Sequence, residues 1–296
     1  MTAESMSYAN SKTQIIKVDD LEYAYRITGR HSTRPIVLFN HLAGTIDDWD
    51  PRVVDGLAAE NKVITFDNLG VGGSSGITPT SVGEMAEDGI KFVRALGLKK
   101  VDLLGFSLGG AVAQCVVQNA PDLVRRLILA GTGPAGGIGI DQIPKLAYQM
   151  QLRSLLTFTD IRTYLFFTRT ENGKSEARKF LGRLKEREND LVDKVSISAF
   201  RNQLKAISAF AKEETPSLSE IHHPTFVANG ESDIMVPSVN SAHLAAELPN
   251  AELALYRDAG HGGVFQYHND FVSRSLKFLS KDVAPSALPE IERRMT

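Results

Sequence analysis

The sequence has little that would link it to an oxidising compartment or a membrane. Cys115 is the one cysteine among 296 residues, so no disulfide can form within the chain, and this fits a reducing compartment. No run of residues is apolar and long enough to span a bilayer. The first residues lack the basic start and the apolar core of a secretory signal. We therefore expect a cytoplasmic location and no membrane contact.

Excess charge of either sign is also missing. Lys and Arg total 33 against 35 Asp and Glu, for a formal net charge of -2, which gives no electrostatic basis for binding nucleic acid. Hydrophobic residues make up 43% of the chain and charged residues 23%, a balance typical of one large or two ordinary globular domains. This composition favours a small, weakly charged molecule as the partner and leaves the oligomeric state open.

Short apolar runs alternate with helical patterns in the first half of the chain. The first two runs lie close together and suggest an antiparallel edge, and the later alternation is typical of parallel strands joined by crossover helices. The predicted strands are 15–18, 21–27, 35–39, 62–66, 101–106 and 127–130, and the predicted helices are 49–59, 81–96 and 108–119.

The alternation stops after a glycine-rich segment at 131–137, and residues 141–214 carry helical patterns without convincing strands. Its first part is apolar and aromatic, and includes Leu146, Tyr148, Met150, Leu152, Leu155, Leu156, Phe158, Tyr164, Phe166 and Phe167. One face of the insertion could line an apolar cavity while the other could meet water. We expect the aromatic residues to form helix core first and to line a pocket second. Strands resume at 225–228 and 253–256, with helices at 239–248 and 265–279.

The strongest local signal is the run Gly105-Phe106-Ser107-Leu108-Gly109, between an apolar run and a helix of small residues. A serine at a sharp strand-to-helix turn, with glycines two positions away on each side, is typical of a nucleophile elbow. The start of the helix would direct the amide of Leu108 toward a developing oxyanion, where the helix dipole favours negative charge. The run therefore predicts Ser107 as a nucleophile.

A serine nucleophile needs a base and an orienting carboxylate. His261, between glycines, and Asp233 each follow a predicted strand, and the carboxyl ends of parallel strands meet at one edge of a sheet. The chain order Ser107, Asp233, His261 also fits this arrangement. Glu231 and Asp258 are alternative carboxylates, although Asp258 is so near His261 along the chain that we expect it to point elsewhere. Asp233 has the alternative role of capping the following helix.

The second oxyanion amide is expected from the loop after the third strand. Counting back from Asp48 selects Leu42, whereas alignment on His41 would select Ala43, and we favour Leu42. We expect His41 to be a packed or loop-bonding residue rather than a second base.

Two patterns that could suggest a bound ion or nucleotide are incomplete. The pair His222-His223 has no third ligand at a suitable spacing. The glycine-rich segment 67–74 lacks the spacing and the lysine of a phosphate-binding loop. We therefore expect a solvated loop at the histidine pair and no nucleotide binding at the glycine-rich segment.

Taken in order, these motifs resemble the alpha/beta-hydrolase fold family with an inserted helical cap, over residues 14–280. The matching motifs are the elbow at 105–109, the turn at 67–74, the acid loop at 230–237 and the histidine loop at 260–261. The resemblance implies an α/β fold with a mostly parallel eight-stranded sheet and a cap after the sixth strand. It also implies a metal-free, cofactor-free serine hydrolase of esters, lactones or related acyl compounds. Family members often carry His-Gly in the oxyanion loop, whereas this chain has Leu42 after Asn40-His41.

We accordingly predict a hydrolase core at 14–134 and 217–281, a helical cap at 135–216, and tails at 1–13 and 282–296. The predicted function is hydrolysis of the acyl bond of a small hydrophobic substrate. Ser107, His261 and Asp233 would form the triad, and the amides of Leu42 and Leu108 would receive the oxyanion. One alternative is carbon–carbon cleavage of a β-diketone, or perhydrolysis, with the same triad. The other is a ligand-binding module with slow turnover.

Overall fold

The computed structural model describes residues 7–29, 35–214 and 217–281. The predicted C-terminal tail, 282–296, and the first six residues of the predicted N-terminal tail lie outside the described residues. Within them, eight strands form one sheet, one at each of the eight apolar runs predicted from the sequence. The strands are β1 (Gln14–Val18), β2 (Leu21–Gly29), β3 (Ile36–Phe39), β4 (Lys62–Phe66), β5 (Val101–Phe106), β6 (Val124–Ala130), β7 (Thr225–Gly230) and β8 (Ala251–Tyr256).

The strand order is β1-β2-β4-β3-β5-β6-β7-β8. β2 pairs antiparallel with both β1 and β4, and every other neighbouring pair is parallel. The mostly parallel sheet with an antiparallel edge is therefore confirmed. Since β3, β5, β7 and β8 run in one direction, the loops that follow them meet at one edge of the sheet.

α-Helices cover the sheet, and four of those in the described residues lie between β6 and β7, where the sequence predicts the insertion; we call these four helices and the segments that join them the cap. Their bounds are α4 (Ile143–Thr157), α5 (Ile161–Phe166), α6 (Glu171–Leu184) and α7 (Ile197–Phe210). The other helices are α1 (Pro51–Ala58), α2 (Val82–Ala95), α3 (Leu108–Asn119), α8 (Val239–Glu247), α9 (Gly263–Gln266) and α10 (His268–Ser280). Across residues 7–281, leaving aside 30–34 and 215–216, no helix has the length and apolar character needed to cross a bilayer.

Strand β6 begins three residues earlier than predicted, because two arginines conceal its start in the hydropathy pattern. Arg125 donates to both carboxylate oxygens of Asp102 on the neighbouring strand. Arg126 is buried, and its guanidinium lies 5.1 Å from the centre of the Phe278 ring. Because Arg125 is paired with a carboxylate and Arg126 is stacked on an aromatic ring, both residues can lie within a strand.

The predicted C-terminal helix at 265–279 is divided in two by Tyr267, whose backbone leaves the helical region at φ -106° and ψ 35°. The ring of Tyr267 stacks on that of Tyr256 at a centroid distance of 5.0 Å, and its hydroxyl donates to the carbonyl of Arg257 at 2.8 Å. These contacts with the end of β8 stabilise the break.

Part of the predicted N-terminal tail packs against the core. Tyr8 is buried, and its hydroxyl hydrogen-bonds to the carbonyl of Ile46 and, at 3.2 Å, to the hydroxyl of Thr65. Arg187, just beyond α6, donates to the carbonyl of Tyr8 at 2.6 Å. Residues 7–13 are thus attached to both the core and the cap, which differs from the tail expected there.

Candidate active site

Ser107 occupies a strained turn between β5 and α3, with φ 57° and ψ -118°. A non-glycine residue in this region costs on the order of 1–3 kcal/mol, which the surrounding structure must offset. The flanking glycines allow the turn to close. A Cβ on Gly105 would lie 2.3 Å from the carbonyl oxygen of Gly109, and one on Gly109 would lie 2.0 Å from that of Phe39. Any side chain at these two positions would push strand and helix apart.

Ser107, His261 and Asp233 form one hydrogen-bonded chain at the carboxyl edge of the sheet. The Ser107 Oγ lies 2.8 Å from His261 Nε2, and His261 Nδ1 lies 2.7 Å from Asp233 Oδ2. All three residues are buried. With a neutral imidazole, Nδ1–H donates to the carboxylate and Nε2 accepts from the serine hydroxyl, which is the protonation state that a general base requires.

The loop after β7 holds the Asp233 carboxylate through its second oxygen. Asp233 Oδ1 accepts from the amides of Met235 at 2.7 Å and Val236 at 3.0 Å. These bonds resemble those of a turn-capping aspartate, so the carboxylate serves its own loop with one oxygen and His261 with the other. Helix α8 begins at Val239 with Ser238 as its N-cap residue and has no side-chain cap, so Asp233 binds its own loop and does not cap the helix.

Asp258 points away from the imidazole, as its position in the chain led us to expect. Its backbone has a left-handed φ of 48°, and its carboxylate accepts from the side chains of Thr168, Thr170 and Asn172 in the cap. Led by the bond from Asn172, these hydrogen bonds lower the pKa of Asp258 below its usual range. The residue thus joins the core to the cap rather than to the site.

The glycines beside His261 make room for the cap. A Cβ on Gly260 would lie 2.8 Å from the carbonyl oxygen of Phe166, and one on Gly262 would lie 2.8 Å from the Phe166 Cβ. The amide of Gly262 donates to the Phe166 carbonyl at 2.8 Å. The end of α5 therefore rests directly on the loop that carries the histidine.

The loop after β3 places Leu42 and Ala43 beside the site, and their amides differ in their surroundings. The amide of Ala43 donates to Oε1 of Gln203, a cap residue in α7, at 2.8 Å. No hydrogen bond from the Leu42 amide is found within the described parts of the chain. Leu108 is the first residue of α3, so its amide is one of the helix donors without an intrahelical acceptor. Neither the Leu42 amide nor the Leu108 amide thus has a hydrogen-bond acceptor among the described residues.

His41 is a buried, neutral imidazole in the same loop. Its Nδ1 lies 2.8 Å from the carbonyl of Leu42, so Nδ1–H is the donor. The ring packs edge-on against Phe106 and Phe166 at centroid distances of 5.4 and 5.2 Å. Burial lowers the pKa of His41 to about 4. It thus packs and bonds to its own loop, as the sequence suggested.

A narrow apolar cavity lies beside Ser107. The volume that the centre of a water-sized sphere can occupy in this cavity is about 20 Å³. This is enough space for about one water molecule. The core and the cap both contribute to its wall. The lining residues are Val82, Ser107, Leu108, Ala111, Thr132, Gly133, Val236 and, from the insertion, Ile140, Ile143, Ile207 and Phe210.

The apolar residues that the sequence assigned to the interior of the insertion divide into two groups. Phe166 and Phe167 are buried, as expected. In contrast, the expectation of helix core is wrong for Tyr148 and Phe158, which are 52% and 98% exposed. The leucines of the same helix, Leu152, Leu155 and Leu156, are 60%, 64% and 73% exposed. The insertion contributes to the cavity wall through Ile140, through Ile143 at the start of α4, and through α7, where Ile207 and Phe210 lie three residues apart on one face. That spacing was the available sequence signal, and the larger apolar count of α4 obscured it.

The glycine-rich segment 67–74 is a structural turn. Asp67 is buried and accepts from the amides of Ile46 at 2.7 Å and Gly73 at 2.9 Å, while burial raises its pKa to about 7. His223, in the other pattern considered, lies 2.9 Å through Nε2 from the carbonyl of Pro121. No group of three or more His, Cys, Asp or Glu side chains in the described ranges is arranged to hold a metal ion.

Comparison with known proteins agrees with this architecture. A family model for the alpha/beta hydrolase fold matches residues 34–266. A putative carbamate hydrolase RutD from Rhizobium rhizogenes is 27% identical over 260 residues, which cover 84% of this chain and 94% of that protein.

Solved structures are similar over nearly the whole chain. An alpha/beta hydrolase fold protein from Chitinophaga pinensis is 37% identical with a TM-score of 0.90, covering 94% of this chain and 100% of its own. An enol-lactonase from Burkholderia xenovorans LB400 has 19% identity and a TM-score of 0.72, covering 90% and 100%, and shows a shared fold alone. The chain therefore belongs to the alpha/beta hydrolase fold family and is a hydrolase.

Proposed function

We propose that this hydrolase cleaves the ester, lactone or related acyl bond of a small hydrophobic substrate, with Ser107 as nucleophile. The observation that carries the proposal is the unbroken hydrogen-bonded chain from Ser107 through His261 to Asp233, located at a strained strand-to-helix turn. A serine hydroxyl bonded to a neutral, oriented imidazole is an activated nucleophile.

In the acylation step, the Ser107 Oγ attacks the carbonyl carbon while His261 Nε2 takes the hydroxyl proton. The carbonyl oxygen becomes an oxyanion, which the amides of Leu42 and Leu108 stabilise. Collapse of the tetrahedral intermediate breaks the bond to the leaving group, to which His261 returns the proton. Asp233 orients the imidazole and stabilises its charged form.

In the deacylation step, water attacks the acyl-enzyme and His261 takes its proton. The same two amides stabilise the second tetrahedral intermediate, which collapses as His261 returns the proton to the departing Ser107 Oγ and the acid is released. The half-reactions thus need no group beyond the residues described.

The cavity supports a small acyl group. The centre of a water-sized sphere can move through about 20 Å³ of this cavity, and the wall is largely aliphatic. Both properties suit a short, uncharged acyl chain next to Ser107. The Rhizobium relative is named a putative carbamate hydrolase. The bond in a carbamate is of the same class as that in an ester or lactone, because it also joins a carbonyl carbon to a leaving heteroatom.

Labelling with a fluorescent fluorophosphonate tests the nucleophile. We expect the wild type to be labelled and both Ser107→Ala and His261→Ala to remain unlabelled. Ser273→Ala, on the exposed side of α10, is the matched control and should be labelled like the wild type. A folded wild type that resists labelling would contradict the proposal and favour the ligand-binding alternative.

A series of p-nitrophenyl esters from acetate to octanoate tests the substrate class. We expect kcat/KM to be highest for the two shortest esters and to fall with chain length. Asp233→Asn should lower kcat by about 10⁴-fold, because the imidazole loses its orienting carboxylate. Preference for octanoate would refute the short acyl group, and cleavage of β-diketones without ester turnover would favour the carbon–carbon alternative.

A further inference from the structure

One cap side chain bonds directly to the oxyanion loop. Gln203, in α7, is fully buried, and its Oε1 accepts from the amide of Ala43 at 2.8 Å. Ala43 has a left-handed φ of 58°, which a residue with a Cβ rarely adopts without a stabilising contact. The hydrogen bond from the cap supplies such a contact.

The orientation of the carboxamide follows from its partner. Because the amide of Ala43 is a donor, the atom of Gln203 facing it must be the oxygen, and Nε2 lies at the other side. Nε2 is buried and has no hydrogen-bond partner among the residues described. An unsatisfied buried donor is unfavourable, so helix packing alone would favour an apolar side chain of similar length, such as methionine.

The position of Gln203 connects the cavity wall to the loop. Ile207 and Phe210, four and seven residues further along α7, lie on the same helical face and line the cavity beside Ser107. Ala43 directly follows Leu42, whose amide is one of the two available to an oxyanion.

We propose that Gln203 is a positioning residue: by holding the Ala43 amide, it fixes the loop so that the Leu42 amide faces the oxyanion. This inference rests on the proposed function. It favours Leu42 over Ala43 as the oxyanion donor, since the Ala43 amide already donates to Gln203. It also couples the two parts of the protein, because displacement of α7 releases the loop that completes the oxyanion site.

Replacement of Gln203 by methionine tests the proposal. Q203M keeps the length of the side chain and removes the acceptor. We expect kcat to fall about 10-fold, because oxyanion contacts strengthen in the transition state, while KM changes less than about twofold. The melting temperature should not fall, since the buried unsatisfied amide is also removed.

Asn202 supplies a matched control on the same helix. Its Nδ2 donates to the carbonyl of Thr78 at 2.9 Å, so it also joins the cap to the core, but away from the oxyanion loop. N202A should leave kcat within about twofold of the wild type. Q203L provides a second apolar variant and should behave like Q203M.

The outcomes separate this inference from the proposed function. A wild type without fluorophosphonate labelling or ester turnover would refute the proposed function itself. Turnover that depends on Ser107 but is unchanged in Q203M and Q203L would overturn the role of Gln203 alone. A fall in kcat that is equal in Q203M and N202A would show general cap anchoring and would also overturn it.

Discussion

The buried imidazole of His41 should make a measurable contribution to the pH dependence of stability. His41 is 6% exposed, and burial lowers its pKa from an ordinary 6.5 to about 4. As the pH falls below 6.5, the unfolded chain takes up a proton there and the folded chain does not. Its contribution to stability is therefore complete above pH 6.5 and is lost as the pH falls toward 4.

The size of the effect follows from the two pKa values. The pKa of His41 falls from 6.5 to about 4 on folding. At about 1.36 kcal/mol per pKa unit, His41 can therefore contribute at most about 3 kcal/mol to the free energy of unfolding. Asp67 acts in the opposite direction, because burial raises its pKa to about 7 and the folded state then binds a proton before the unfolded state does. The contribution of His41 must therefore be measured as a difference between proteins that share Asp67.

The assay is urea denaturation followed by circular dichroism at pH 7.5 and pH 4.5, on the wild type and His41→Gln. Between these pH values, the free energy of unfolding should fall by about 2–3 kcal/mol more in the wild type than in the variant. His222→Gln, at an exposed site, is the control and should follow the wild type. Equal losses in the wild type and His41→Gln would refute the reasoning.

Three further predictions concern the elbow, the cap attachment and the exposed cap surface. Gly109→Ala places a Cβ 2.0 Å from the carbonyl oxygen of Phe39, so we expect a loss of about 3 kcal/mol in urea denaturation together with loss of esterase activity; an unchanged midpoint would contradict the close approach. Arg183→Met leaves the fully buried Asp50 carboxylate without its ion pair at 2.6 Å, which should cost about 3–5 kcal/mol, and a loss below about 1 kcal/mol would argue against that burial. Phe158→Asn replaces a ring that is 98% exposed at a left-handed φ, so the free energy of unfolding should stay within about 0.5 kcal/mol or rise. A larger loss would show that the ring packs against another surface.

The relation of sequence to site is clearest at Ser107 and at the two carboxylates. The elbow was predictable because its requirement is local: the close approach of strand and helix excludes any side chain at Gly105 and Gly109. The choice between Asp233 and Asp258 is not local. It depends on the direction that the backbone takes after β7 and after β8. The left-handed backbone conformation of Asp258 turns its side chain toward the cap.

The sequence by itself determined the order and type of most elements, since hydrophobic periodicity and turn residues act over short stretches of chain. It could not show that β6 begins at Val124 and includes two arginines, because their partners, Asp102 and the Phe278 ring, come from distant segments. Within the cap, tertiary structure alone decided which apolar face is covered. Leu155 meets solvent while Ile207 lines the cavity, because the burial of a helical face depends on the surface that the rest of the chain presents to it.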